Sequence, residues 1–314
     1  MAHGPTVGRI LFPIIGVAAF AAAGLLIPNF LTAANLLNVV RQSSIIGICA
    51  VGMTMVIVIL GIDLSIAGLI ALCPMVSGVL MLQGVPITIS IIAGIIAGIG
   101  MGLFNGLMVA KLDVPPFITT LVVGQVSQGL ALIMNNGRSI GGFPASYVYI
   151  GNGSVLGVPV SDLLLIVMMG IGIFITQLTP TGNRIYALGG NETVVRQEGI
   201  NVDGLKLFVY AFSGFCAAVA GILLSAQLDT VHPIQGDPYQ LDTIAACVIG
   251  GVSLAGGKGR VAMAVAGALV IGSVRNVLDL LGVHPFFQNV LVGTIIILVV
   301  FGSGLSRYRR TVPV

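Results

Sequence analysis

The residues that could perform catalysis are few, and they do not form a recognised catalytic arrangement. The chain has three histidines, His3, His232 and His284, and no HExxH or GxSxG motif. His232 and Asp237 share one loop, but an isolated histidine–aspartate neighbourhood is usually solvated polar surface. The four cysteines lie in apolar runs without a CxxC pair, so we expect buried thiols. The sequence predicts no catalytic residue and no metal site.

A glycine-rich segment at 250–259 resembles a phosphate-binding loop only superficially. Such a loop needs a glycine five residues before the Gly-Lys glycine and a serine or threonine after the lysine. Val252 and Gly259 occupy those two positions. We therefore expect no nucleotide site in this chain, and interpret the segment as a flexible cytoplasmic turn beside a partner.

Ionisable residues within apolar segments are candidates for function. Asp63 lies between two apolar runs, where its carboxylate could cap the following helix; a role in handling substrate or protons is the alternative. Arg275 and Asp279 are four residues apart, so on a helix they share a face and are expected to pair with each other.

Composition defines the elements that must position these residues. Hydrophobic residues make up 57% of the chain and charged residues only 7%, with a mean hydropathy of +1.11. A soluble domain carries about a quarter charged residues. The sequence therefore predicts a polytopic, all-α membrane protein whose 314 residues (1–314) form a single transmembrane domain, and it excludes a soluble enzyme.

About 20 apolar residues are needed for each span. On that basis we predict ten spans, at 9–28, 43–61, 64–82, 85–110, 117–134, 161–178, 205–227, 241–254, 261–281 and 285–303. Most lysines and arginines of the loops fall on one side if both termini are cytoplasmic, as the positive-inside rule requires. The C-terminal residues Arg307, Arg309 and Arg310 fit the same orientation.

Two predicted loops are longer than turns. Residues 135–160 are polar, glycine-rich and external, whereas residues 179–204 are internal and carry the densest charge of the chain. Within the internal loop, Asn191 can cap a helix, Glu192 favours its first turn, and Gly199 can end it. We predict a short amphipathic helix at 191–198, lying along the membrane surface.

Glycines in the fourth span recur every four residues and so share one helical face. A face of small residues lets helix backbones approach closely in a membrane. We predict tight helix packing along these glycines, which are Gly94, Gly98, Gly102 and Gly106.

Similar segments also open the fifth and tenth spans, Val114-Pro-Pro-Phe117 and Val283-His-Pro-Phe286. An offset of five spans reverses direction, which predicts an inverted repeat.

Polar side chains interrupt the fifth span and suggest either of two roles. Neutral amides and hydroxyls suit an uncharged polyol bound by hydrogen bonds, but they could equally join one helix to another. The candidate path residues are Thr119, Thr120, Gln125, Ser127 and Gln128.

Several segments, taken together in their order, resemble the ribose-type ABC importer permeases. They are Gly61-Ile-Asp-Leu-Ser65, Lys111-Leu-Asp-Val-Pro-Pro-Phe117, Thr181-Gly-Asn-Arg-Ile-Tyr-Ala-Leu-Gly-Gly-Asn-Glu192 with Gly199-Ile-Asn-Val202, and Leu241 to Gly259. The resemblance covers roughly residues 35–300. Leu60 and Ala67 depart from it, since glycine is frequent at both positions in such permeases.

The resemblance implies a permease subunit in the bacterial inner membrane, paired with a second copy or a similar permease. It implies two cytoplasmic ATPase subunits, which bind the ATP and magnesium while this chain binds no cofactor, and a soluble sugar-binding protein outside. The helix within 179–204 would dock on the ATPase, with coupling candidates Gly190, Asn191, Glu192, Arg196 and Gly199. An ion-coupled secondary transporter of a small polar solute is the alternative, although it would usually show more ionisable groups within the spans.

Overall fold

The structure, a computed structural model, describes residues 24, 27–284, 286–294 and 297. Its helices are α1 (Ala33–Val58), α2 (Ile66–Leu82), α3 (Ile87–Lys111), α4 (Pro116–Met134), α5 (Ala145–Asn152), α6 (Val160–Leu178), α7 (Pro180–Gly190), α8 (Glu192–Gln197), α9 (Val202–Leu228), α10 (Asp237–Ile249) and α11 (Val261–Leu280). Residues 286–294 are also helical. The strands are β1 (Ile140–Gly141), β2 (Ser154–Val155), β3 (Val158–Pro159) and β4 (Thr230–Val231).

The predicted fold class is confirmed: the chain is an all-α, polytopic membrane protein. Six described helices, α1, α3, α4, α6, α9 and α11, are long and apolar enough to cross a bilayer, and α2 is a shorter apolar helix. The first predicted span (9–28) lies almost wholly outside the described residues, and the tenth (285–303) lies partly outside them. The total of ten spans and the inverted repeat remain predictions.

Two long helices form the centre of the bundle. α1 and α9 are the most buried of the six candidate spans, and α9 packs against α1, α2 and α3. The outer helices α3, α4, α6 and α11 leave apolar side chains exposed, such as Ile96, Val126 and Ile166. Because lipid is as apolar as these side chains, exposure costs no free energy in a membrane.

The glycine face of α3 lies where this helix meets its neighbours. A Cβ on Gly98 would lie 2.7 Å from both the Ala218 Cβ and the Gly214 carbonyl oxygen of α9, and one on Gly106 would lie 2.8 Å from the Leu207 Cα. Gly102 meets the Tyr210 carbonyl of α9, and Gly94 meets the Ser77 hydroxyl of α2. Backbone approaches backbone along most of the α3–α9 contact.

The predicted loop 135–160 contains defined structure. It holds β1, α5 and the β2–β3 hairpin, and β1 pairs antiparallel with β4 so that Ile140 lies opposite Val231. Since β4 follows the C-terminal end of α9 and α8 precedes its N-terminal end, these strands and α8 lie at opposite ends of the bundle.

The expected pairing of Arg275 with Asp279 is wrong. Arg275 donates from Nε and one terminal nitrogen to the two carboxylate oxygens of Asp242 in α10, at 2.7 and 2.9 Å. Asp279 instead accepts a hydrogen bond from Gln288. The guanidinium matches a carboxylate as a two-pronged donor, and Asp242 is almost fully buried, so this contact between helices replaces the local pair.

Candidate functional site at the charged end of the bundle

Residues 179–204 fold into two consecutive helices and the start of a third, each with its own cap. The side chains of Thr179, Asn191 and Asn201 accept hydrogen bonds from backbone N–H groups in the first turns of α7, α8 and α9. The predicted helix at 191–198 is therefore confirmed: it is α8, with Asn191 as its cap. Gly199 follows it with φ of +74°, a left-handed conformation that glycine adopts readily.

Helix α7 was not predicted, although its start carries a sequence signal. Thr179 followed by Pro180 combines a capping hydroxyl with a proline at the first helical position, where the missing N–H costs nothing.

Five charged side chains join α3, α8 and α9 into one network of ion pairs. Lys111 at the end of α3 contacts Asp203 at 2.8 Å, and Asp203 contacts Arg196 at 2.9 Å. Arg196 contacts Glu192 at 3.0 Å, and Glu192 contacts Lys206 at 2.9 Å. Only Glu192 and Arg196 were among the coupling candidates. Asp203 and Lys206 lie close to them in sequence but were not selected, whereas Lys111 is 92 residues from Asp203 and only the fold brings it there.

The network determines the protonation of Glu192. Partial burial by itself raises the pKa of this carboxyl, but hydrogen bonds from Lys206 and Arg196 outweigh that effect and hold the pKa below its usual value. Hydrogen bonds to Asp203 and Glu192 raise the pKa of Arg196 above its usual value. Both groups are therefore charged across the physiological range.

The other coupling candidates and their neighbours differ in exposure. Gly190 has no atom within 4 Å of the place where a Cβ would lie, and Asn191 and Gly199 are exposed. Gly189, by contrast, packs against the Val58 carbonyl oxygen at the end of α1. The junction of α7 and α8 thus has one side fixed to the bundle and one side open.

The segment 250–259 also packs against the end of α1 and against α7. The Gly257 N–H donates to the Val58 carbonyl at 2.8 Å, and the Tyr186 hydroxyl of α7 donates to the Gly259 carbonyl at 2.7 Å. Leu60, where the chain departs from the resembled permeases, has φ of +66°, a conformation that favours glycine. The segment 250–259 therefore packs beside α7, at the same end of the bundle as the ion-pair network.

Asp63 is completely buried at the break between α1 and α2. Its carboxylate accepts from the Ser65 N–H at 2.9 Å, the Ser65 hydroxyl at 2.5 Å and the Ser213 hydroxyl of α9 at 2.6 Å. Asn105 of α3 donates to the same Ser65 hydroxyl at 2.8 Å. Ser65 is the N-cap residue of α2, and its side chain makes no capping hydrogen bond. The Asp63 carboxylate therefore fixes this N-cap residue and joins the segment between α1 and α2 to α9.

The five polar residues of α4 fall into two groups. Thr119, Thr120 and Ser127 are buried; Thr120 donates to the Ile62 carbonyl and accepts from the Leu64 N–H, so it joins α4 to the break beside Asp63. Gln125 is exposed, and Gln128 donates to Asp237 of α10 at 2.9 Å. The hydroxyl of Thr119 has no hydrogen-bond partner among the described residues.

Within the described part of the chain, no group of three or more histidine, cysteine, aspartate or glutamate side chains could hold a metal ion. What the structure offers is an ion-paired surface at one end and a polar strip on α4 and α10.

The chain matches a family of transport proteins. The family model described as branched-chain amino acid transport system / permease component matches residues 35–300. The chain belongs to this family.

Curated relatives align along nearly all of the chain. The ribose import permease protein RbsC of Haemophilus influenzae is 38% identical over 305 residues, covering 95% of this chain and 94% of that protein. The D-allose transport system permease protein AlsC of Escherichia coli is 36% identical, covering 85% of this chain and 82% of that protein. The L-arabinose transport system permease protein AraH of Escherichia coli is 33% identical, covering 95% and 92%. No solved structure matches the chain.

Proposed function

We propose that this chain is the transmembrane permease subunit of an ABC importer that carries a monosaccharide or a similar polyol. The observation that carries the proposal is the near full-length similarity to permeases named for ribose, allose and arabinose. Although the family description names branched-chain amino acids, these relatives favour a sugar as the cargo.

The proposed path for the solute runs along α4 and the start of α10. Gln128 offers a neutral amide beside Asp237, and Gln125 lies one turn earlier on α4. Amides and carboxylates are hydrogen-bonding partners for sugar hydroxyls. Thr119 contributes a hydroxyl with no partner among the described residues. The bonds of Thr120 and Ser127 to backbone carbonyls favour a structural role for those two residues.

The proposed energy source is a separate ATPase that docks at the charged end. The chain contains no phosphate-binding loop of its own, so ATP and magnesium would be bound by that partner, while this chain binds no cofactor. The docking region is 179–204, with Gly190, Asn191, Glu192, Arg196 and Gly199 as the coupling candidates.

The proposed assembly places two permeases side by side in the bacterial inner membrane, either two copies of this chain or this chain and a similar one. Both termini and the charged end face the cytoplasm, and a soluble sugar-binding protein delivers the cargo from outside. The excess of lysine and arginine at the charged end supports this orientation.

Uptake into liposomes tests the proposal. The permease is reconstituted with the ATPase and binding protein of its transport system, and labelled ribose, allose, arabinose and leucine are offered in turn. We expect uptake of at least one sugar, only when the ATPase, ATP and binding protein are all present. Uptake driven by an ion gradient without the ATPase would indicate a secondary transporter, and uptake of leucine alone would refute a sugar as the cargo.

A further inference from the structure

The charges of the network are already engaged with one another. Each of the five side chains forms at least one ion pair within the chain, and Glu192, Arg196 and Asp203 each take part in two. A partner that bound Glu192 or Arg196 directly would have to compete with these pairs. Since a charged residue that already has its partners gives little further attraction, this surface is a poor recognition site.

The side of α8 that faces away from the bundle is uncharged within the helix, and the exposed carboxylate of the C-cap residue Glu198 lies one turn beyond Val194. Val195 is buried, whereas Thr193, Val194 and Gln197 are exposed, and Val194 keeps 48% of its surface accessible. Positions 193, 194 and 197 lie on one helical face because residues three and four apart are neighbours. We call Thr193, Val194 and Gln197 the neutral ridge.

Three basic residues near α7 and its junction with α8 have no ion pair in the described part of the chain. Arg184, Lys258 and Arg260 are all exposed. The bond from Tyr186 to the Gly259 carbonyl and the contact of Gly257 with Val58 bring the two basic residues of the 250–260 segment beside α7, which carries Arg184. We call these three residues the basic rim.

We infer that the network positions α8, and that the ATPase subunit recognises the neutral ridge and the basic rim rather than Glu192 and Arg196. The inference rests on the proposed function and specifies its partner surface: an apolar cleft for Val194 with an acidic margin for the rim. Glu192 and Arg196 are positioning residues, which fix α8 to the ends of α3 and α9.

Inverting the whole network separates positioning from recognition. In the variant K111D/E192K/R196E/D203R/K206E every ion pair is retained with its polarity reversed. The binding of the purified ATPase subunit to permease in lipid nanodiscs is then measured, together with sugar uptake. We expect the single variant Glu192→Lys to weaken binding about tenfold, because it places a cation beside Arg196 and Lys206. We expect the full inversion to restore binding to within about threefold of the unaltered protein. Failure of the inverted protein to bind, although it remains folded and α8 keeps its protection from amide exchange, would overturn the inference.

The neutral ridge is tested with a matched pair of valines. Val194 and Val155 have nearly equal exposure, 48% and 46%, but Val155 lies in the β2–β3 hairpin at the other end of the bundle. We expect Val194→Asp to weaken ATPase binding about tenfold or more, as for a residue at an interface centre, and Val155→Asp to leave it unchanged. Equal effects of the two substitutions, or none at Val194, would contradict the role of the ridge.

The basic rim is tested by R184E/K258E/R260E against Arg138→Glu, an exposed arginine at the opposite end. Charges at the rim of an interface act mainly on the association rate and its salt dependence. We expect the triple variant to associate about tenfold more slowly at low salt and to lose most of its salt dependence. An unchanged association rate would show that the basic rim takes no part in ATPase binding.

The outcomes also distinguish the two proposals. If the unaltered permease does not bind the ATPase at all, the proposed function fails. If it binds but the variant with the inverted network does not, only the further inference fails.

Discussion

Arg275 forms its ion pair across a helix contact and not along its own helix. The sequence offered Asp279 at the spacing of four residues, and nothing local distinguished that carboxylate from Asp242. The decisive facts are the burial of Asp242 and the two-pronged geometry, and both depend on how α10 meets α11. Local rules identify the residues able to pair but cannot choose among partners from separate helices.

Removing one member of a buried ion pair leaves the other without compensation. We therefore expect Asp242→Asn to lower the free energy of unfolding by about 3 kcal/mol or more, because breaking such a pair from one side costs about 3–5 kcal/mol. The matched substitution Asp279→Asn removes only the acceptor for Gln288 and should cost about 1 kcal/mol. Thermal unfolding in detergent, followed by circular dichroism, compares the two. A larger loss at Asp279 would contradict the observed pairing.

At the scale of elements, some helices could be predicted from the sequence and others could not. The helix at 191–198 has its cap, acidic first turn and terminal glycine within nine residues, so local chemistry was sufficient. α10 begins at Asp237, earlier than the predicted 241, because apolar content marks the membrane segment rather than the helix start. The periodic glycines of α3 predicted a packing face, but only the structure identifies α9 as its main partner.

The glycine face of α3 gives a prediction with an internal control. Gly98 contacts α9, whereas nothing lies within 4 Å of a Cβ placed on Gly100. We expect Gly98→Leu to separate α3 from α9 and to lower the free energy of unfolding by more than about 3 kcal/mol, since overpacking by even a few atoms costs about 1–3 kcal/mol. Gly100→Leu, on the exposed side, should change it by about 0.5 kcal/mol or less. Purification yield and thermal unfolding measure both, and comparable behaviour of the two variants would contradict the packing face.

Helix α8 should lose its attachment in acid. Because the pKa of folded Glu192 lies below its usual value, its ion pairs stabilise the docked helix above the usual pKa of a glutamate, about 4.3. That stabilisation is lost as the pH falls through the lower, folded-state pKa. Amide hydrogen exchange of residues 192–198, corrected for the intrinsic effect of pH, should show protection that falls in acid. The variant Glu192→Gln should show weaker protection at neutral pH and a smaller change; an identical pH profile would exclude Glu192 as the cause.

At the scale of the whole molecule, the bundle separates two surfaces by the thickness of a membrane. Helix α6 has 19 residues between the β2–β3 hairpin and α7. At 1.5 Å per residue this is about 28 Å, close to the hydrocarbon thickness of about 30 Å. We therefore predict that the hairpin, with Leu156 at its tip, and the charged network face opposite aqueous compartments.

Labelling of introduced cysteines can determine which side of the membrane each of these two surfaces faces, because the native cysteines should not react. The chain's four cysteines are all described and all buried, so a membrane-impermeant maleimide should leave the unaltered protein unlabelled. Gln197→Cys in α8 should react only in inside-out vesicles, and Leu156→Cys, fully exposed in the hairpin, only in right-side-out cells. Reaction of both from one side would refute the placement of the two surfaces at opposite ends. The reversed pattern would keep the fold but place the charged network outside, where no cytoplasmic ATPase could reach it, and so would refute the proposed coupling surface.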